Sequence, residues 1–210
     1  MSDNPLPGQM ALFDTKLLLK PDPERLLQLK QFALSCRKCG LRSGCKQVVF
    51  GEGCTDRPSI AFIGEGPGAN EDSCGRPFIG KAGELLNSML RAMEIPRSSV
   101  YICNIVCCRP PENRVPTREE AGACREWLVG QLRYIQPRVL VALGGTAANA
   151  LLETKKTKTM HDLRKEWHEW QGIPMRATFH PAFLLRNPTE KSQAWSDLQE
   201  VLKMLKSAGA

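Results

Sequence analysis

Two groups of residues in this chain have types and spacings that can do chemistry. Cys36-x-x-Cys39 places two thiols on one tight turn, and Cys108 and Cys124 follow much later with fifteen residues between them. Four thiolates complete a tetrahedral zinc shell or ligate a [4Fe–4S] cluster, and spacing alone leaves both open. The second group comprises a glycine-rich loop, Gly64-Glu65-Gly66-Pro67-Gly68, then Asn104, Gly144-Gly145 and His180-Pro181. Taken alone, the loop suits either a phosphate-binding turn or a tight turn without a ligand.

The elements needed to position these residues are readable as well. Short apolar runs at Ile60 to Ile63, Val100 to Cys103, Val139 to Leu143 and Met175 to Phe179 predict four strands. Helical patterns separate or flank them: Asp22-Pro23 opens a helix ending at Cys36, and others cover Ala82 to Met93, Thr117 to Ile135, Thr146 to Leu152 and Ser192 to Lys206. In the helix from Thr117, a Thr117/Glu120 capping box precedes Ala121, Cys124, Leu128, Leu132 and Ile135 at helical spacing. Strands alternating with helices imply parallel pairing through right-handed crossovers. In such sheets, ligands bind beyond the carboxyl ends of the strands. The loop, the amide, the diglycine and the imidazole all fall there, so they are expected to share one crevice.

Composition narrows the classes. The chain has 210 residues, 42% of them hydrophobic, enough for one α/β domain over 21–210 preceded by an arm over 1–20. The net charge of +7 suits a polyanionic partner. Neither a signal-peptide pattern nor a long uncharged apolar run is present, so a cytoplasmic, non-membrane protein is expected. Nine cysteines in a reducing compartment favour metal or cluster ligation over disulfides.

A longer set of strings is far more specific. Gly64 to Gly68, Glu71-Asp72, Gly75-Arg76-Pro77-Phe78-Ile79-Gly80-Lys81-Ala82-Gly83, Asn104 to Pro111 and His180 to Pro188 occur in the order found in family 4 uracil-DNA glycosylases, which the chain resembles over roughly residues 30 to 205. The resemblance implies a three-layer α/β/α fold with a four-stranded parallel sheet, a [4Fe–4S] cluster on Cys36, Cys39, Cys108 and Cys124, and excision of uracil from DNA by a monomeric, monofunctional hydrolase. It also implies roles. Phe78 stacks on the extruded base, Asn104 reads the uracil edge, and His180 faces uracil O2 beside the Glu65-Gly66 backbone. Glu71 fills the space of a thymine methyl, and Asn113 assists the attacking water with Glu65 as second candidate. Where the superfamily's best-known branch carries an aspartate, this chain has Gly66, and no histidine lies between Asn104 and Lys158 to capture the sugar covalently.

The chemistry makes these types sensible. A departing uracil anion gathers charge on O2, where a fixed donor favours the transition state over the substrate. An asparagine amide matches the O4 acceptor and N3–H donor of uracil, a pattern cytosine reverses. Leu184, Leu185 and Arg186 follow His180 closely enough to enter the vacated stack and grip phosphates. Lys38, Arg42 and Arg109, near the thiols, are expected to face DNA. Cys107 competes with Cys108 as a ligand. Each residue also has a structural reading: His180 as a bonded core histidine, Phe78 as core, Asn104 as a turn cap, Glu71 as a first-turn acid. A silent DNA-binding module or a zinc-containing nucleotide-binding protein are the alternatives.

The arm contains Gln9-Met10-Ala11-Leu12-Phe13, similar to the Gln-x-x-Leu-Phe peptide with which bacterial repair proteins engage the sliding clamp. Two readings stand for it: a tether that raises local concentration, or a segment whose Leu12 and Phe13 pack back on the domain.

Overall fold

A computed structural model of the chain describes residues 20–154 and 156–207. The Gln9–Phe13 pentapeptide lies outside them. The chain first forms helix α1 (Pro23–Leu34), capped by Asp22, whose carboxylate accepts the Arg25 amide at 3.0 Å with Pro23 in the first turn. A short turn, α2 (Leu41–Gly44), and strand β1 (Glu52–Gly53) follow. The main sheet then begins with β2 (Ile60–Gly64) and, after α3 (Ala69–Cys74) and α4 (Lys81–Ala92), β3 (Tyr101–Asn104). Helix α5 (Arg118–Ile135) leads to β4 (Val139–Leu143); α6 (Gly145–Leu152) and α7 (Met160–Arg164) lead to β5 (His168–Trp170) and β6 (Ile173–Thr178). The described residues end with α8 (Pro181–Arg186) and α9 (Lys191–Ser207).

The sheet has six strands in the order β1-β3-β2-β4-β6-β5, not the four expected. The four strands read from the sequence form its parallel centre, and the correction is confined to its edges. There β1 and β5 pair antiparallel with β3 and β6. The β5–β6 hairpin turns through Gln171 and Gly172, both left-handed, which is the two-residue turn that matches strand twist. Strand ends also shift by a residue or two: Gly64 and Asn104 are the last residues of their strands rather than the first beyond them.

Alternation along the central strands divides the core into two layers. Ala61, Ile63, Tyr101, Cys103, Leu140 and Ala142 face α1, α5 and α6, while Ile60, Phe62, Ile102, Val139, Val141 and Leu143 face α4 and α9. β2, β3 and β4 are buried along their whole length, as strands covered on both faces must be. On the first face α1 lies close to α5, since Gly130 leaves room for Leu29, whose Cδ2 would stand 2.6 Å from a Cβ there. That contact brings the end of α1, and the cysteines beyond it, beside α5. The capping box of α5 forms as expected: Thr117 Oγ1 accepts the Glu120 amide at 3.2 Å, and Glu120 accepts the Thr117 amide at 2.8 Å. Order along the sheet reverses at β2, with β3 on one side and β4 on the other, so the carboxyl ends of these strands open onto a crevice.

Candidate active site

All four parallel strands contribute to one cavity of about 570 Å³ at that crevice. Glu65, Gly66 and Pro67 follow β2, Asn104 ends β3, Leu143 ends β4 with Gly144 after it, and Phe179 and His180 follow β6. The loop before α4 adds Phe78, α3 adds Glu71, and the segment after β3 adds Asn113. The residues expected to meet in a crevice therefore do so. Met160, Thr146 and Phe183 also line it, although the sequence reading gave them no role.

Phe78 and Asn104 converge over the α-carbon of Gly64. A Cβ there would collide with Asn104 Oδ1 and reach Phe78 Cζ at 2.6 Å, so any larger residue drives the amide and ring apart. Near the ring stands the His180 imidazole, with centroids 5.6 Å apart and planes tilted by 35°. Asn104 is 3% exposed, yet its Oδ1 has no hydrogen-bond partner. An unpaired buried acceptor is costly, and one that faces a cavity is satisfied by a ligand that donates.

His180 caps the N-terminus of α8, with Nδ1 accepting the Ala182 amide at 3.1 Å. A neutral ring with Nδ1 as acceptor must carry its proton on Nε2, and is then a donor. Burial, reinforced by the Arg186 charge and opposed by Glu71, lowers the imidazole from its usual 6.5 to about 4. Near neutral pH the ring is therefore uncharged. The segment around it is braced from outside. Buried Asp197 on α9 accepts from Thr178 Oγ1 at 2.8 Å and from Arg164 Nε at 2.6 Å. The Arg164 guanidinium lies 4.5 Å from the centroid of Phe179, which stacks on Phe183 at 5.1 Å.

Glu71 is nearly buried and fully engaged: one carboxylate oxygen accepts the Ile79 and Gly80 amides at 3.0 and 2.9 Å, the other the Gly68 amide at 3.2 Å. Its acidic first-turn position thus ties two loops of the cavity wall together. Glu65 is held through its carbonyl, which accepts the Val106 amide at 3.4 Å. Gly66 packs close to Val106, whose Cγ2 would be 3.0 Å from a Cβ. Asn113 is exposed and left-handed at φ +56°, following Glu112 at +54°, and its Oδ1 accepts from Arg109 Nε at 2.8 Å.

One expectation needs correction. Leu184 is 1% exposed and belongs to the core side of α8, whereas Leu185 is 44% exposed. Positions 181 and 184 of this six-residue helix share its inward face, leaving Leu185 and Arg186 outward. Lys38, expected to face DNA, is ion-paired with Glu126 and lies over the Trp127 ring.

The cysteines meet at a second, smaller cavity. Cys36, Cys39, Cys108 and Cys124 line one small cavity, with Cys107 among them. Two N–H groups already point at sulfur: Trp127 Nε1 donates to Cys36 Sγ at 3.4 Å and the Cys107 amide to Cys124 Sγ at 3.3 Å. Burial pushes the Cys39 and Cys108 thiols up, while a hydrogen bond from Cys107 pulls Cys124 down. Four sulfurs around a common space with N–H donors behind them fit a thiolate-ligated group. Among the described residues no group of three such side chains is arranged, as it stands, to hold a metal ion.

Comparison with known proteins gives a consistent answer. Residues 50–199 match the family model of the uracil DNA glycosylase superfamily. The chain is 43% identical over 180 residues to the type-4 uracil-DNA glycosylase of Thermotoga maritima, covering 83% of this chain and 91% of that protein. It is 38% identical over 184 residues to the type-4 enzyme of Archaeoglobus fulgidus, covering 85% and 92%. With that of Pyrobaculum aerophilum it shares 37% identity over 179 residues, covering 82% and 91%.

Proposed function

The chain belongs to the uracil DNA glycosylase superfamily, and from that premise we propose that it excises uracil from DNA, hydrolysing the N-glycosidic bond of an extruded nucleotide to leave an abasic site. The observation that carries this reading is the unpaired, buried Asn104 Oδ1, which meets the Phe78 ring over Gly64 in the cavity wall. Uracil offers N3–H to that acceptor and O4 to the adjacent amide N–H. Cytosine offers an acceptor at N3 and a donor at N4, which opposes both groups.

In this reading Phe78 stacks on the base and offsets part of the cost of unstacking it, a few kcal/mol. His180 donates from Nε2 to uracil O2 as negative charge develops there. A neutral donor with fixed orientation stabilises that charge, and one such donor contributes about 3 to 4 kcal/mol. Glu71 narrows the wall where a thymine methyl would sit. Asn113 on the cavity rim orients the attacking water, with Glu65 the second candidate. The proposed reaction is hydrolysis by water rather than amine attack and strand cleavage. Leu185, with Arg186, enters the minor groove to replace the flipped base.

Cys36, Cys39, Cys108 and Cys124 would hold a [4Fe–4S] cluster whose part is structural, since glycosidic hydrolysis moves no electron pair to or from a redox centre. Thiolates at these positions tie the end of α1 to α5 and to the loop before Asn113. Among the described residues no helix is long and apolar enough to cross a membrane. The enzyme is proposed to act as a cytoplasmic monomer on single- or double-stranded DNA. The pentapeptide Gln9–Phe13 is proposed as a sliding-clamp ligand, checked by titrating residues 1–20 against a clamp. Release of free uracil from a single-uracil oligonucleotide tests the activity itself; a protein that binds this DNA but releases nothing is a binding module.

A further inference from the structure

Phe78 does not hold its own position. Its backbone is left-handed at φ +52°, unfavourable for an aromatic residue unless the surroundings over-determine it. On the cavity side Glu71 supplies part of that support through the Ile79 and Gly80 amides. On the outer side a single guanidinium does the rest, and we propose that Arg97, which does not line the cavity, is the positioning residue that aims the Phe78 ring at the extruded base. The proposal rests on the uracil-excision reading and deepens it.

Arg97 lies in the turn between α4 and β3. It donates to the Pro77 carbonyl at 2.8 Å and to the Phe78 carbonyl at 3.2 Å, bracketing the strained residue. The same group donates to Asn87 Oδ1 on α4 at 2.9 Å and to Glu52 Oε1 on β1 at 3.1 Å. Glu52 in turn is forked by Arg76, at 2.9 and 3.2 Å, two residues before Phe78. Burial pushes the Glu52 carboxyl up, but the two guanidiniums outweigh it and hold it below the usual range. The outer face of the loop is thus tied to a helix and an edge strand by charge-assisted bonds. Gly83 presses α4 against the same carbonyl: a Cβ there would overlap the Phe78 oxygen. A planar fork reaches two successive carbonyls and two side chains together, which an ammonium cannot do.

Because Arg97 would act only through the ring, its effect should vanish when the ring is absent. The test is a double-mutant cycle in the full chain with wild type, Arg97→Met, Phe78→Ala and the double variant. Single-turnover excision is read on a fluorescein-labelled single-uracil oligonucleotide, and affinity on the same oligonucleotide carrying a tetrahydrofuran abasic analogue. We expect Arg97→Met to slow excision by roughly 10²-fold, the scale of a misplaced reacting partner, with abasic-DNA affinity within about twofold of wild type. Arg97→Lys falls between, and the double variant is no slower than Phe78→Ala. An unchanged rate in Arg97→Met, or a further slowing of Phe78→Ala by the factor seen in wild type, overturns the proposal. Should Arg97→Met not fold, Arg97→Lys enters the same cycle with the same criterion. Absence of uracil release by wild type would instead sink the excision reading, and this inference with it.

Discussion

The cavity at the strand ends and the cavity among the cysteines both collect residues from distant parts of the chain, but they differ in what they leave unsatisfied. In the first, Glu71 and His180 are already bonded to main-chain amides, and a neutral acceptor, Asn104 Oδ1, stays unpaired. In the second, Cys36, Cys39, Cys108 and Cys124 line one space, with N–H donors at two of the sulfurs. In the proposed reading one region receives a neutral planar partner that comes and goes. The other suits a resident group that joins elements of the fold. Damage to the first should therefore appear in rate, and damage to the second in stability.

The largest expected effect is on rate. His180→Ala removes the Nε2 donor and should slow single-turnover excision by about 10²- to 10³-fold, while thermal stability and abasic-DNA affinity stay near wild type. A matching fall in stability would mean that its cap to Ala182 matters more than its donor. Next comes the opposite signature. Cys124→Ser, purified anaerobically, should lose iron and the broad visible absorption near about 400 nm, with a Tm lower by several degrees, each kcal/mol being worth roughly 2–4 °C at this size. An unchanged iron content would remove Cys124 from the ligand set.

Asp197→Asn blurs the division on purpose. It keeps the shape but discharges a 2%-exposed carboxylate between Arg164 and Arg176. Both readouts should move together, stability by about 3–5 kcal/mol and excision several-fold through the Arg164, Phe179 and Phe183 stack. A rate change without a stability change would show that the brace serves the site alone.

The smallest effect is with pH. His180 is neutral above about 4 and takes up a proton only below it in the folded protein, against the usual 6.5 when unfolded. Its contribution to stability is present above 6.5 and is lost as pH falls from there toward 4. Excision should stay level with respect to this group from pH 8 to 5, and change only on approach to 4. A rate that titrates near 6.5 in wild type and is level in His180→Gln would contradict a neutral donor.

How much of this was legible depends on the range of the determining forces. Val139–Leu143 and the Thr117/Glu120 cap were readable because an apolar run and a capping box are local signals. β1 and β5, two and three residues long, have no periodicity to detect, although Gly172 between Trp170 and Ile173 hinted at a hairpin. Leu184 looked like a wedge by proximity to His180, and only the orientation of α8 turns it inward. Arg97 and Asp197 gave no signal at all. Their partners lie 10 to 45 and 19 to 33 residues away, joined only by folding.

The most direct test of the pocket compares single-turnover release of uracil and cytosine from otherwise identical oligonucleotides by wild type and Asn104→Asp. Wild type should release uracil alone, and the variant should lose uracil selectivity by about 10²-fold or more, because a carboxylate cannot donate to O4. An unchanged uracil-to-cytosine ratio in a folded variant would contradict Asn104 as the group that reads the base.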